Sequence, residues 1–296
     1  MKCFFIVLFF IATMKPKTSA QTSDSLSHIS LGTSHAGIGF GPLVNYSGIR
    51  FNLNDKWDEH INGLSFSVLN TLDFERSPQS IMNGLAANLI YTRLGEVNGI
   101  AAGLLGELSD TTNGLSFGFY SSGGKVRNGI TAGGGYVFTN GMNGIAVGLV
   151  QTLCDTGNGI QFAMGLGSTG NRIAHLANGL AIGIVTLDIV QVNGISLSVF
   201  SNQVAQMSGI AIAAVTQSAN TNGFIGGVLN IQKDSSMLGG VTGLAIGLVN
   251  TFQKMTGVQI AAINRAKELH GIQFGLLNRA DNAYFKWFPF VNLVLN

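Results

Sequence analysis

From Gly63 onward the chain repeats one short pattern: a glycine, then six residues in which bulky apolar and small positions alternate. Ile145-Ala146-Val147-Gly148-Leu149-Val150 and Leu244-Ala245-Ile246-Gly247-Leu248-Val249 are two copies. With the residues after the glycine numbered one to six, slots one, three and five are apolar in every copy except at Gly134 and Gly226. Slots two and four hold Ala, Gly, Ser, Thr, Asn or Gln, and Ile225 is the single large apolar exception. Successive side chains of a β-strand point to opposite sides, so this period of two predicts strands with unlike faces. The same period and the density of glycine exclude helices.

The glycines that open the copies are Gly48, Gly63, Gly84, Gly99, Gly114, Gly129, Gly144, Gly159, Gly179, Gly194, Gly209, Gly223, Gly243, Gly257 and Gly271. Most steps equal that from Gly99 to Gly114, three are one residue shorter, and three are lengthened by insertions, as from Gly63 to Gly84. Fifteen units thus cover residues 48–280. Between the copies stand Ser122-Gly123-Gly124-Lys125 and Cys154-Asp155-Thr156-Gly157-Asn158-Gly159, which read as turns where Asn-Gly accepts positive φ. The copies carry no charge, so the charged residues of this region fall in or beside those turns. The insertions follow the second, eighth and twelfth units, which is one and the same end of an up-and-down array.

Two all-β architectures place one short strand in each unit of this length. One is an up-and-down antiparallel β-barrel of about 16 strands in a membrane, with the bulky slots toward lipid and the small slots toward the lumen. The other is a β-solenoid with two strands per coil, its bulky slots filling a narrow interior. A soluble solenoid with so many small uncharged residues outside would leave flat sheets open to association, which favours the barrel and makes a lipid bilayer the expected partner. Residues 21–47 form an N-terminal strand region before the repeats, with a strand-like segment from Ile38 to Asn45. Residues 281–296 form a C-terminal aromatic strand around Trp287, either an interfacial girdle or a terminal cap.

The N-terminus adds an address. Met1-Lys2, an apolar run from Cys3 to Met14, and small residues at Thr18 and Ala20 before Gln21 read as a secretory signal peptide over residues 1–20. Only 10% of residues are charged, against about 25% in ordinary globular proteins, while glycine reaches 41 of 296. A formal charge of +2 offers no footprint for nucleic acid. Beyond residue 20, Cys154 is the one cysteine, so no disulfide is expected within the secreted chain.

Three segments carry a resemblance: Gly271-Ile272-Gln273-Phe274-Gly275-Leu276-Leu277-Asn278, Gly257-Val258-Gln259-Ile260-Ala261-Ala262-Ile263-Asn264, and residues 243–250. They resemble the Gly-Leu-Gln-Ile-Gly-Leu-x-Asn units of bacterial surface-repeat proteins of Bacteroidota and spirochaetes. Phe288-Pro289-Phe290-Val291-Asn292 is similar to that family's closing motif. Many units depart from the pattern, since Gln stands at slot two only at Gln161, Gln259 and Gln273. The resemblance implies outer-membrane or surface exposure, and brings no activity with it. The expected role is structural, pore-forming or transporting at the outer membrane; a surface solenoid acting as adhesin or scaffold is the alternative.

Candidate chemistry is sparse. Gly165-Leu166-Gly167-Ser168-Thr169-Gly170 matches a dinucleotide-binding fingerprint, but no βαβ pattern surrounds it, so it reads as a loop insertion. His28, His35, His60, His175 and His270 are scattered without metal-ligand spacing. Asp58-Glu59-His60 is adjacent in sequence only, which makes no catalytic triad. Cys154 beside Asp155 reads as a tolerated thiol rather than a nucleophile. Asn70, Asn230, Asn250, Asn264 and Asn278 close several units and suit a stacked Asn ladder better than a row of ligands. No catalytic, cofactor-binding or metal residue is expected.

Overall fold

The computed structural model describes residues 28–55, 59–70, 79–165, 171–184, 186–232 and 239–295, with backbone only for 54–55, 69–70, 171–175 and 186–187. The expected signal segment, Trp57, Asp58 and residues 166–170 of the glycine-rich motif lie outside the described residues.

The chain forms a stack of strands. Strand β1 (Ile29–Gly32) pairs antiparallel with β2 (Ala36–Phe40), and this hairpin closes one end. The stack continues through β3 (Tyr46–Asp55), β4 (His60–Asn70), β5 (Ile81–Asn88), β6 (Tyr91–Gly103) and β7 (Gly106–Gly118). It goes on through β8 (Ser121–Gly133), β9 (Tyr136–Gly148), β10 (Gln151–Ala163), β11 (Asn171–Gly183) and β12 (Thr186–Ser198). Then come β13 (Ser201–Ile212), β14 (Val215–Gly226), β15 (Leu229–Gln232), β16 (Val241–Ile246), β17 (Val249–Ile260) and β18 (Ile263–Ala280). β15 and β16 share one coil, both lying between β14 and β17. β19 (Trp287–Val294) turns back antiparallel on β18 and closes the far end.

Neighbours from β2 to β18 run parallel, and each lies one unit from the next, as in Gly99 beside Gly114 and Gly144 beside Gly159. The fold is therefore a β-solenoid of about 14 turns and not the expected barrel, in which neighbours would alternate in direction. It also differs from the expected solenoid, because one unit, not two, completes a coil. The register extends one coil before the recognised repeats, where Gly37 lies beside Gly48. The three insertions fall between β4 and β5, β10 and β11, and β15 and β16. With one unit per coil, their even numbering marks no common rim.

β6 illustrates a coil. Tyr91–Leu94 runs straight, the pairing steps over Gly95, and Glu96–Asn98 forms a second straight run. Gly99 turns the corner at φ +139°, Ile100–Gly103 forms the third run, and Leu104 and Leu105 bend the chain into the next coil. Three runs and three corners bring the backbone round within a single unit, so it returns in the same direction. The corner glycines from Gly37 to Gly271 all have φ between +118° and +147°, where only glycine is comfortable. The residue before each, Asn in ten of the sixteen, is in strand without positive φ, so Asn-Gly here is a strand followed by a corner, and the stretches 122–125 and 154–159 lie inside β8 and β10 instead of in turns.

The interior reverses the expected sidedness. Inward side chains in β6 are Thr92, Leu94, Val97 and Ala101, all 5% exposed or less. Slot two is buried throughout, at Ala86, Ala101, Ser116, Ala146, Ala181, Ser196, Ala211 and Ala245 among others. The bulky slots point out. A coil made of one unit encloses little space, and its volume is taken by residues two and five before each glycine, such as Val192 with Ile189, Met207 with Val204, and Met255 with Phe252. Only small or slender side chains fit opposite them, because a close-packed interior has no room for more.

Buried polar groups find partners across the coil, as they must where water is excluded. Thr92 Oγ1 donates to the Ala102 carbonyl at 2.6 Å, and Thr152 and Thr216 make the same bond to Phe162 and Gly226. In the last coils Asn takes over this position: Asn264 Nδ2 donates to the Phe274 carbonyl at 2.8 Å. Asn230, Asn250, Asn264 and Asn278 also bond one another at 2.8, 3.1 and 2.9 Å, forming a buried ladder. These residues are 0% exposed and support the stack from within. The side chain of Asn70 lies outside the described residues.

Candidate docking face

The chemistry of the outside follows from the reversal. Slot one contributes a column that includes Leu64, Ile130, Ile160, Ile195 and Ile210, each 37–40% exposed. Slot three adds Phe40, Phe51, Phe66, Phe117, Ile246, Ile260 and Phe274, with Phe40, Phe51 and Phe66 stacked at centroid spacings of 5.4 Å. Slot five, at the corner, exposes Leu89, Leu104, Phe119, Leu149, Val199, Leu248 and Leu276 still further. The three columns run side by side along the stack as one apolar surface. At about 4.8 Å per coil and about 15 Å across the columns, 14 turns give a face on the order of 1,000 Å². Isolated apolar patches on soluble monomers are usually about 300–600 Å².

The outer side of the run before the corner glycine is mostly polar, with Ile81, Val126 and Leu176 as exceptions. Its last position carries Asn62, Asn83, Asn98, Asn113, Asn128, Asn143, Asn158, Asn178 and Asn193, and each from Asn83 onward donates its amide nitrogen to the side-chain carbonyl oxygen of the Asn before it. Eight bonds of 2.7–3.1 Å join the nine residues. Reading these residues as turns hid this second ladder, although an Asn recurring once per unit was its signal. Beside it lie the charges: Asp110 and Lys125 pair at 2.7 Å, and Lys254, Glu268 and His270 cluster on β17 and β18. The hydrogen bond from His270 and the nearby Lys254 hold the Glu268 carboxyl below the usual range. Such exposed pairs add little stability. One surface of the stack is thus apolar and the adjoining one polar, with the glycine corner as the boundary.

Among the described residues the other candidates do not converge. His28 and His35 lie at the first end of the stack, His60 opens β4, and His270 lies on β18 near the opposite end; the side chain of His175 lies outside the described residues. Glu59 faces inward and meets Arg50 at 2.5 Å, both 1% exposed, while the neighbouring His60 points out. Where Gly124 leaves β8 without a side chain, Arg93, Leu108, Asp110, Lys125, Phe138 and Asn140 border a shallow groove.

Cys154 is inward and 2% exposed on β10, and burial, with the nearby Asp155 charge, pushes its thiol up to about 12. The thiolate is the reactive form. Iodoacetamide at pH 8 is therefore expected to leave Cys154 unmodified in the native chain and to alkylate it fully in guanidinium, as read by peptide mass spectrometry. Rapid labelling of Cys154 in the native chain would contradict this inward placement.

Aromatic residues gather at the closing end. Tyr284, Phe285, Trp287, Phe288 and Phe290 are all exposed, and the Arg279 guanidinium sits 5.2 Å from the Trp287 ring. β19 itself caps the last coil, with Val294 tucked against it and Asn292 donating to Gln273 at 3.3 Å. Comparison with protein families, curated proteins and solved structures finds no match to this chain.

Proposed function

We propose that this chain is exported and serves as a non-catalytic, rod-shaped scaffold at the bacterial cell surface, docking through its apolar face. The observation that carries this reading is the outward direction of slots one, three and five over the whole stack. Exposed apolar surface of this extent is costly in water and is characteristic of proteins that bind another surface. The signal-like N-terminus and the resemblance to surface-repeat proteins supply the address.

Fractionation of the source cells, followed by treatment of intact cells with external protease, tests it. The chain is expected in the outer-membrane or surface fraction and is expected to be cut by the protease. Recovery from the cytoplasm alone would overturn the reading.

A further inference from the structure

We infer that the occupant of the apolar face is a second copy of this chain, packed face to face. This rests on the reading of slots one, three and five as a docking surface, and goes beyond it by naming the partner. Three observations carry it.

The first is area. A stable interface takes about 800 Å² from each partner, and the face supplies on the order of 1,000 Å². The second is pitch. Side chains in each column recur once per coil, at about 4.8 Å, over some 14 turns. Rows so regular interdigitate along their full length only with rows of the same interval, as in stacked β-sheets packed about 10 Å apart. A second copy presents that interval, and a two-fold axis lets each face be its own complement.

The third is the margin. Surfaces that lie in a bilayer interface are edged with Lys or Arg, which meet anionic headgroups. Here the margin at the glycine corner is the Asn column, whose amides are already bonded along the stack. The other margin carries Leu105, Tyr120 and Phe200. Arg50 and Arg127 are inside the coil, Lys125 and Lys254 stand on the polar surface, and Arg93, Arg265 and Lys267 stand four to six residues before a corner glycine, outside the three columns. Among the described residues the three columns and the Asn column hold no outward Lys or Arg, and a strip bordered there by neutral amides suits a like strip better than lipid.

Sedimentation equilibrium of the full chain gives the mass directly, with no variant needed. Two chains per particle are expected at micromolar concentration. Introducing Ile130→Lys and Ile160→Lys together places two charges at the middle of the face and is expected to weaken association at least 100-fold. Ala205→Lys with Gln206→Lys, on exposed positions of the polar side, is expected to leave association unchanged. Guanidinium unfolding of each variant confirms that it is folded.

A single-chain mass for the wild type overturns the inference, as does a dimer indifferent to the face substitutions. Flotation with vesicles of phosphatidylethanolamine and phosphatidylglycerol then separates the two readings. A monomer that floats retains the docking face with lipid as its occupant. A monomer that neither floats nor associates removes the docking face as well.

Discussion

Gly144→Ala is expected to destabilise the protein by roughly 3–5 kcal/mol, whereas Gly141→Ala, three residues earlier on the same strand, is expected to change stability by less than about 0.5 kcal/mol. Gly144 has φ +133°, and a Cβ there would overlap the Gly129 carbonyl oxygen of the adjoining coil. Alanine held in that backbone region costs about 1–3 kcal/mol by itself. The overlap is with backbone and not with the end of a flexible side chain, so the coils must part, and each lost ladder bond costs about 1 kcal/mol more. Gly141 is in another situation: its nearest obstacle is the Lys125 carbonyl oxygen, 3.9 Å from an added Cβ. Because a coil touches only its neighbours, the damage should appear first as faster amide exchange in β8, β9 and β10. Guanidinium unfolding and hydrogen exchange measure both effects, and equal stability of the two variants would contradict the corner geometry.

The same glycines explain what was legible in the sequence. Their spacing, the strands between them and the two-sidedness of those strands were all readable, because alternation is a local property of the backbone. Direction was not. A period of two says that two faces differ, but not which one is inside; that depends on how much space the coil encloses. One interior column gave little apolar signal, since five residues before each glycine stand Leu94, Ser109, Gly124, Thr139 and Cys154 in successive coils. A mixed column of this kind reads as polar turn, and so the bulky slots looked like the core.

The size of the coil was hidden for a related reason. Hairpins and single-unit coils share the same repeat length, and only the identity of the residues across the ladder separates them. In an antiparallel array Asn and Gly would meet different partners in neighbouring strands. In this stack Asn lies over Asn and Gly over Gly, as at Asn98 beside Asn113 and Gly99 beside Gly114. Nine Asn residues bonded in one row account for the dipeptide better than turn propensity does, because a turn needs no common identity from one unit to the next.

Inside the stack one pair of charges is expected to show strong coupling. Arg127→Met and Glu107→Gln should each cost about 3–5 kcal/mol, while the double variant should recover at least half of their sum. Both side chains are fully buried, and Arg127 Nη2 lies 3.0 Å from Glu107 Oε2. Ser109 and Ser122 donate to the carboxylate at 2.6 and 2.8 Å, and Arg127 Nη1 donates to the Thr112 hydroxyl. Gly124 makes room, since a Cβ there would come within 2.8 Å of the guanidinium. Burial pushes the Glu107 carboxyl up, and Arg127 is the strongest influence pulling it down. In Arg127→Met that pull is gone and the folded-state value rises further above the unfolded one. Stability linked to such a group is fully present below the unfolded value of about 4.3 and lost as pH rises through the folded value. The Arg127→Met variant should therefore regain stability as pH falls from 7 toward 4, a gain that Arg127→Met with Glu107→Gln should lack because no carboxyl remains at that position. Guanidinium midpoints at pH 7 and pH 4 decide it, and simple additivity of the two single substitutions would mean that the charges stabilise the stack independently.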